Sequence, residues 1–448
     1  MSNIHTTGAG RRFDAVLVTL AALVVVTTVI AAPPADPQAR VARILAVTPL
    51  IDGHNDLPWV IRQRFRGTVA AVDLLSDTSR IAPSPEGVAM MTDVQRLRAG
   101  QVGAQFWSVY VRAALAPGPA AVQATLEQID IVKGMAARYP DDFEMAYTAA
   151  DVRRIHKGGR MASLMGVEGG HQINNSLAVL RQYFELGARY MTLTHVTNTD
   201  WADSATDNPA HRGLTPFGRE VVREMNRLGM LVDLSHVSEA TMRAALEVSV
   251  APVIFSHSSA RALVDHPRNV PDDVLRLVAK NGGIVMVTFN AGYVSAARYQ
   301  WDAALAAEKA RFNSAPYDGL YVGQPERAQA ALAAWEQTHP APAATLADVA
   351  DHIEYVRKIA GVDHVGIGSD FDGIDDVPVG LENVSRFPQL LVELLKRGWS
   401  DGDIGKLAGG NVLRALASAE QVAVRLRRER PASSALIADL DAPAHPTP

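Results

Sequence analysis

The sequence predicts one (β/α)8 barrel of the TIM type. Three observations support this: eight short apolar runs, helix-like segments between most of them, and a glycine after several of those segments. Apolar runs that alternate with helical segments indicate parallel strands joined by helices, and eight such units suffice to close a barrel. An open, doubly wound sheet is the alternative, because periodicity alone does not show closure.

The predicted strands follow one another at 47–51, 102–111, 162–167, 190–194, 230–234, 252–255, 283–289 and 364–368. Helices are predicted at 120–138, 176–186, 218–228, 239–248 and 272–279. Gly187 and Gly229 follow two of these segments, and glycine is the residue favoured where a helix ends. The alternation therefore runs through most of the chain.

Residues 1–38 are predicted to be a signal peptide or an N-terminal membrane anchor. Two arginines at 11–12 precede the apolar run 15–32, and prolines follow it. A basic lead, an apolar run and a proline-rich exit are typical of export signals. We therefore expect the protein to be exported, either periplasmic or membrane-anchored and facing outside the cytoplasm.

The barrel is predicted to span residues 39–430. It contains an alanine-rich insertion at about 296–350, after the seventh strand, where prolines interrupt a helix-prone segment. The tail at 431–448 is rich in proline and alanine and is predicted to be disordered.

Composition limits the classes of function. The chain has 448 residues, of which 48% are hydrophobic and 20% charged, enough for a large core. A formal net charge of −5 gives no basic field for nucleic acid, so no nucleic-acid partner is expected. There are no cysteines, so any metal ion must be held by histidine and carboxylate side chains.

Side chains of the kind that bind metals stand at six of the eight predicted strand ends. Function in a parallel barrel gathers at the carboxyl ends of the strands. The residues are His54, Asp56, Glu168, His195, His236, His257 and Asp370. Nitrogen and oxygen ligands with one shared carboxylate suit two borderline divalent ions, of which zinc is favoured. Water between two such ions loses a proton near neutral pH and becomes the nucleophile.

Five motifs, in this order along the chain, resemble those of the membrane (renal) dipeptidase family. They are Asp52-Gly53-His54-Asn55-Asp56, Gly166-Val167-Glu168-Gly169-Gly170-His171, Asp233-Leu234-Ser235-His236-Val237-Ser238, Phe255-Ser256-His257-Ser258-Ser259-Ala260 and Gly366-Ile367-Gly368-Ser369-Asp370-Phe371-Asp372-Gly373. These enzymes are zinc metallopeptidases of the amidohydrolase-like barrel class, and the resemblance covers about residues 42 to 420. It implies hydrolysis of dipeptides, sometimes with a D-residue at the C-terminal position, by a hydroxide that bridges two zinc ions.

The resemblance also implies a role for each ligand. His54 and Asp56 resemble the ligands of one zinc ion, and His236 and His257 those of the second. Glu168 resembles the carboxylate that bridges the two ions. We therefore expect two Zn²⁺ ions per chain.

Three further residues resemble the family's substrate-binding and catalytic groups. His195 matches the histidine that polarises the scissile carbonyl, and Arg268 matches the arginine that binds the substrate carboxylate. Asp370 matches the proton shuttle that also meets the substrate amino group. The sequence departs from the family at Asn290, where members carry a tyrosine in the substrate pocket, and Tyr293 follows three residues later.

Other expectations concern the pocket wall, the assembly and the reaction. Trp59, Trp107 and Trp201 lie near strand ends and are candidates for lining the pocket. We also expect a homodimer. Two alternative functions stay open: hydrolysis of another amide, lactam, lactone or phosphoester bond, and a catalytically silent envelope binding protein. Arg268 together with Asp370 favours the dipeptidase, because a small substrate with both a carboxylate and an amino group needs both.

Overall fold

The computed structural model describes residues 1–2, 8, 10, 36–84, 87–313 and 319–441. The predicted leader, residues 1–38, lies outside the described residues except for a few positions. Its last residues are part of the folded chain, because α1 begins at Pro37 with Asp36 as its N-cap. None of the helices in the described residues has the length and apolarity required to span a membrane.

Nine strands of the described chain form one parallel sheet. They are β1 Leu50–Asn55, β2 Val102–Tyr110, β3 Phe143–Met145, β4 Met161–Glu168, β5 Ala188–Thr192, β6 Leu231–Asp233, β7 Ile254–Phe255, β8 Ile284–Val287 and β9 Val365–Ile367. Their order is β2-β1-β9-β8-β7-β6-β5-β4-β3, and β2 also pairs with β4. That pairing closes eight strands into a barrel and leaves β3 outside, on β4. The predicted eight-stranded barrel is confirmed.

Helices surround the barrel. In the described residues they are α1 Pro37–Val47, α2 Leu57–Phe65, α3 Val94–Ala99, α4 Pro119–Arg138, α5 Ala149–Lys157, α6 Leu177–Leu186, α7 Pro216–Leu228, α8 Glu239–Val248, α9 Asp272–Asn281, α10 Ala291–Val294, α11 Ala296–Asn313, α12 Pro325–Thr338, α13 Leu346–Ala360, α14 Phe387–Lys396, α15 Asp401–Gly405, α16 Asn411–Glu429 and α17 Ile437–Leu440. A π-helical turn, Lys406–Gly410, joins α15 to α16.

The ends of these helices follow from local sequence. The hydroxyls of Ser176, Thr215 and Ser238 accept hydrogen bonds from the first-turn amides of α6, α7 and α8. Gly187 and Gly229 end α6 and α7 with φ of 118° and 84°, a left-handed conformation in which glycine carries no penalty. The predicted glycine ends are confirmed.

Two strand predictions needed correction. The first strand begins at Leu50 and not at 47, because α1 continues to Val47 and Pro49 stands between helix and strand. The strand also continues to Asn55, so His54 lies inside β1 and not beyond its end. The strand β3 was not predicted, since Glu144 stands in the middle of its three residues and leaves no apolar run.

The insertion and the tail both contain helices. Helices α11 and α12 lie in the predicted insertion, between β8 and α13. Within the tail predicted to be disordered, the structure describes residues 431–441: α17 forms at Ile437–Leu440, and Asp441 accepts hydrogen bonds from Thr215 Oγ1 (2.7 Å) and from the Phe217 amide (2.9 Å). A carboxylate at the N-terminus of α7 stabilises both segments.

Candidate active site

Glu168, the last residue of β4, lies at the centre of the barrel mouth. Its Oε1 lies 3.1 Å from His236 Nε2, 3.4 Å from His54 Nε2, 3.6 Å from His257 Nε2 and 3.7 Å from His195 Nε2. Its other oxygen, Oε2, accepts a hydrogen bond of 3.0 Å from Ser108. One carboxylate oxygen is therefore shared among imidazoles from four different strand ends.

Two groups of ligand atoms share this glutamate. One consists of His54, Asp56 and Glu168, and the other of Glu168, His236 and His257, with the atoms of each group within 4.8 Å of one another. Asp56 is the N-cap residue of α2, yet its side chain makes no capping hydrogen bond and stays available to a ligand. Imidazole and carboxylate donors without thiolates fit borderline divalent ions such as zinc.

His54 is oriented by Tyr190. The Nδ1 of His54 lies 2.8 Å from Tyr190 Oη, which also lies 3.3 Å from the Gly53 carbonyl. If Tyr190 donates to that carbonyl, its oxygen accepts the Nδ1 proton and the lone pair of Nε2 faces the cluster. Gly166 makes room for this tyrosine, because a Cβ there would lie 1.9 Å from its ring.

His257 is held by a similar arrangement. Its Nδ1 lies 2.8 Å from Ser256 Oγ, and this hydroxyl donates to Asp233 Oδ2 at 2.6 Å. The serine oxygen can then only accept from His257, so the Nε2 lone pair is again free to bind a metal. Asp233 also accepts from Thr192 Oγ1 at 2.5 Å and from the Ser235 amide at 3.1 Å. The carboxylate is thereby fixed inside the barrel.

Burial and neighbouring charge shift the protonation equilibria of the cluster. Burial alone would raise the pKa of Glu168, but the imidazoles of His54 and His195 hold that pKa well below its ordinary value. Burial lowers the pKa of His257 well below its ordinary range, and the neighbouring His54 and Arg268 act in the same direction. An ionised glutamate beside a neutral histidine is the state in which both bind metal ions.

Asp370 lies at the edge of the cluster. Its Oδ1 is 4.0 Å from His54 Nε2, and its backbone amide donates to the His54 carbonyl at 3.1 Å. It has φ of 69°, and burial raises the pKa of its carboxyl group well above the ordinary value. Gly373 permits this approach, because a Cβ there would lie 2.2 Å from Asp56 Oδ2 and 2.8 Å from Asp370 Oδ1. The carboxylates of Asp56 and Asp370 therefore both lie beside Gly373, where a larger residue would clash with them.

Arg268 is a buried cation that faces the same cavity. Only 2% of it is exposed, and its guanidinium donates to Ser258 Oγ and to the His257 carbonyl, each at 3.3 Å. Its Nε has no partner, and within the described residues it forms no ion pair. The guanidinium lies 5.5 Å from the ring centre of Tyr293. A buried guanidinium without a carboxylate is costly, so the site favours an anionic ligand.

The cavity has a volume of about 400 Å³, within the range of small-molecule sites. Its walls include Asp56, Trp59, Tyr110, Arg112, Glu168, His195, Val196, His236, Arg268, Asn290, Tyr293, Asp370, Gly373 and Ile374. Trp59 lines it as predicted, whereas Trp107 and Trp201 are fully buried in the core. Asn290 and Tyr293 both reach the wall, and the Asn290 side chain also caps α10.

The structure thus brings together all eight residues singled out from the sequence. His54, Asp56, Glu168, His195, His236, His257, Arg268 and Asp370 contact one another or line one cavity. Sequence reasoning missed Tyr190 and the pair Asp233 and Ser256. A signal existed for Asp233, which places a carboxylate in the otherwise apolar strand Leu231–Asp233, whereas no such signal marked Tyr190 or Ser256.

Comparison with known proteins agrees with this geometry. The membrane dipeptidase family, peptidase family M19, matches residues 38–430. The probable dipeptidase PvdM from Pseudomonas aeruginosa is 27% identical, with 86% of this chain and 99% of that chain covered and a TM-score of 0.71.

Two other solved structures share the fold. A metallopeptidase from Rhodobacter sphaeroides, liganded with a phosphinate mimic of L-Ala-D-Ala, is 23% identical, with 83% of this chain and 99% of that chain covered and a TM-score of 0.64. A dipeptidase described as a metallopeptidase of family M19 is 24% identical, with the same coverages and a TM-score of 0.62. The chain therefore belongs to the membrane dipeptidase family, peptidase family M19, and is a metallo-dipeptidase.

Proposed function

We propose that the protein hydrolyses dipeptides with two zinc ions that share Glu168. The observation that carries this proposal is the position of Glu168 Oε1, within 3.1–3.7 Å of four imidazole nitrogens. His54 and Asp56 would hold one ion, and His236 and His257 the other. When bound, the two ions would supply the positive charge that lets a water molecule lose its proton near neutral pH.

The substrate is oriented by residues of the cavity wall. Arg268 binds the carboxylate of the dipeptide through its planar, bidentate guanidinium, which otherwise lacks an anionic partner. His195, whose Nε2 lies 3.7 Å from Glu168 Oε1, donates a hydrogen bond to the scissile carbonyl. The two contacts fix the peptide bond over the centre of the cluster.

Asp370 moves the proton. As a base it accepts the proton of the attacking water, and as an acid it returns that proton to the leaving amine. Its position beside His54 and above Asp56 supports this role, and its carboxylate can also meet the free amino group of the substrate. Only a substrate with both terminal charges uses Arg268 and Asp370 together.

Metal replacement and a substrate panel test this function. The purified protein is stripped with a chelator, reloaded with Zn²⁺, Mn²⁺ or Mg²⁺, and assayed on L,L and L,D dipeptides, on a lactam and on a phosphoester. We expect two zinc ions per chain by elemental analysis and hydrolysis of dipeptides alone. Faster hydrolysis of the lactam or phosphoester would support the alternative reaction, and no hydrolysis with two bound ions would support a silent binding protein.

The export of the protein and its oligomeric state stay predictions. Export rests on the arginine pair and the apolar run before residue 36. A fusion of residues 1–45 to a reporter that is active only after export tests it, and reporter activity in the cytoplasm would contradict it. The expected homodimer is tested by light scattering of the purified protein.

A further inference from the structure

The cavity contains a second cation, Arg112, that the reaction above does not use. Arg112 is exposed to the cavity, and its guanidinium carbon lies 5.7 Å from the ring centre of Trp59. That indole is itself held by Tyr110, edge to face, with ring centres 4.7 Å apart. Within the described residues Arg112 forms no ion pair. The Arg112 guanidinium therefore packs on the Trp59 ring and keeps its hydrogen-bond donors free for a ligand.

The backbone beside Arg112 is fixed. The carbonyl of Val111 lies 3.0 Å from His171 Nε2, and Val111 is 1% exposed. Arg112 lies two residues after β2, and its own carbonyl accepts a hydrogen bond of 3.0 Å from the Leu115 amide, so the backbone is held on both sides of the Arg112 side chain. A flexible surface arginine would lose more entropy on binding than one that starts from a fixed backbone and an aromatic contact.

Strand order places Arg112 across the barrel mouth from Arg268. Arg112 follows β2, and Arg268 lies in the loop after β7. Three strands separate β2 from β7 in each direction around the closed barrel: β1, β9 and β8 on one side, and β4, β5 and β6 on the other. The ligand cluster lies between them. A dipeptide whose terminal carboxylate is on Arg268 therefore extends its N-terminal residue toward Arg112.

One guanidinium accounts for the single carboxylate of a simple dipeptide. A second unpaired guanidinium at the other end of the same cavity fits a second anionic group. We propose that Arg112, supported by Trp59, binds the side-chain carboxylate of an acidic N-terminal residue, so that the preferred substrates are Glu-Xaa and Asp-Xaa dipeptides. This inference rests on the proposed dipeptidase function.

Matched dipeptides test the subsite. Glu-Ala and Gln-Ala differ only in whether the N-terminal side chain carries a carboxylate or an amide. Ala-Glu and Ala-Gln differ in the same way at the C-terminal residue. With zinc-loaded protein we expect kcat/KM for Glu-Ala to exceed that for Gln-Ala by about fivefold or more, a modest factor because the pair is partly solvated. Arg112→Met should reduce that ratio to about one, and Arg112→Lys should retain part of it. The ratio of Ala-Glu to Ala-Gln should not respond to either substitution.

A control and a second measurement keep the outcomes separate. Arg425→Met removes an arginine that pairs with Glu429 at 2.8 Å on α16, and it should preserve the Glu-Ala preference. Calorimetric binding of Glu-Ala and Gln-Ala to the zinc-loaded Asp370→Asn variant, in which turnover is expected to be slow, should show the same ratio as the kinetics of the parent protein. Hydrolysis of Ala-Ala with no preference for Glu-Ala, or a preference that survives in Arg112→Met, would overturn the subsite and leave the dipeptidase function intact. Failure to hydrolyse any dipeptide would overturn both.

Discussion

The Nε2 atoms of His236 and His257 lie 2.8 Å apart and face one another in the barrel mouth. Two imidazole lone pairs cannot face each other at this distance without a proton or a cation between them. Because Ser256 accepts the Nδ1 proton of His257, the Nε2 of that histidine is an acceptor. The two nitrogens are thus arranged to hold one proton or one metal ion between them, and Glu168 Oε1 lies 3.1 Å from His236 Nε2.

Glu168 should be required for the binding of both metal ions, whereas His54 should be required for the binding of one. Glu168→Ala removes a carboxylate common to both ligand groups, while His54→Ala removes a ligand from a single group. We expect elemental analysis after dialysis to find both ions depleted in Glu168→Ala and one retained in His54→Ala. A single tightly held ion in the parent protein would contradict the binuclear assignment.

The hydroxyl of Ser256 should control metal affinity without touching the metal. In Ser256→Ala the Nδ1 of His257 loses its hydrogen-bond acceptor. Neither the orientation of the His257 ring nor its tautomer is then fixed. Loss of such a supporting group costs about 10–100-fold in metal affinity. Competition with a chromogenic chelator measures the change. Thr192→Val is the matched control, because Thr192 binds the same carboxylate, Asp233, but does not contact His257.

Arg268 should act through the substrate carboxylate. A charge-assisted contact of this kind contributes about 1.5–3 kcal/mol, so Arg268→Ala should lower kcat/KM by about ten- to a hundredfold with normal metal content. Arg268→Lys should restore little, since an ammonium lacks the planar fork. If the parent enzyme cleaved a dipeptide amide as fast as the free acid, the contact would have no role.

Asp370 should be a proton carrier and not a metal ligand. Its Oδ1 also lies close enough to His54 and His257 to be a potential ligand, so the two roles need separating. Asp370→Asn keeps an oxygen donor but cannot accept the proton, and we expect kcat to fall by about a hundredfold or more. Both zinc ions should remain bound. Loss of an ion from the variant would make Asp370 a ligand, and near-normal turnover would exclude it from the mechanism.

His352 should make the protein less stable in acid. Burial lowers its pKa from 6.5 to about 4, and its Nδ1 accepts the Ala260 amide at 3.0 Å. Between these values the unfolded chain binds a proton that the folded chain does not, so stability falls as pH decreases from about 6.5 to 4. The expected slope is up to about 1.4 kcal/mol per pH unit. Urea unfolding of metal-free His352→Gln should show a shallower pH dependence, whereas His339→Gln, at an exposed histidine, should match the parent protein.

Much of the site could be predicted because the relevant signals are local. His54, Glu168, His236 and His257 each lie at or near the carboxyl end of a buried strand, and these ends of parallel strands meet at one face of the barrel. The contact of Tyr190 with His54 could not be predicted in this way, since the two lie 136 positions apart and Tyr190 sits within the strand. The same holds for the hydrogen bond from Thr215 to Asp441 in the tail, because the two residues lie 226 positions apart.

The shared glutamate also has a mechanical consequence for the barrel. β1 and β4 exchange no backbone hydrogen bonds because β2 lies between them, and β4 and β6 are likewise separated by β5. Ions held by His54, Glu168 and His236 would connect these strands across the open mouth. Ligand binding to the folded state alone stabilises it by about 2.7 kcal/mol at a concentration 100 times Kd. Stripping the ions should therefore loosen the catalytic end of the barrel first, so limited proteolysis of the apoprotein should cut the loops beyond β4 and β6 before those at the opposite end.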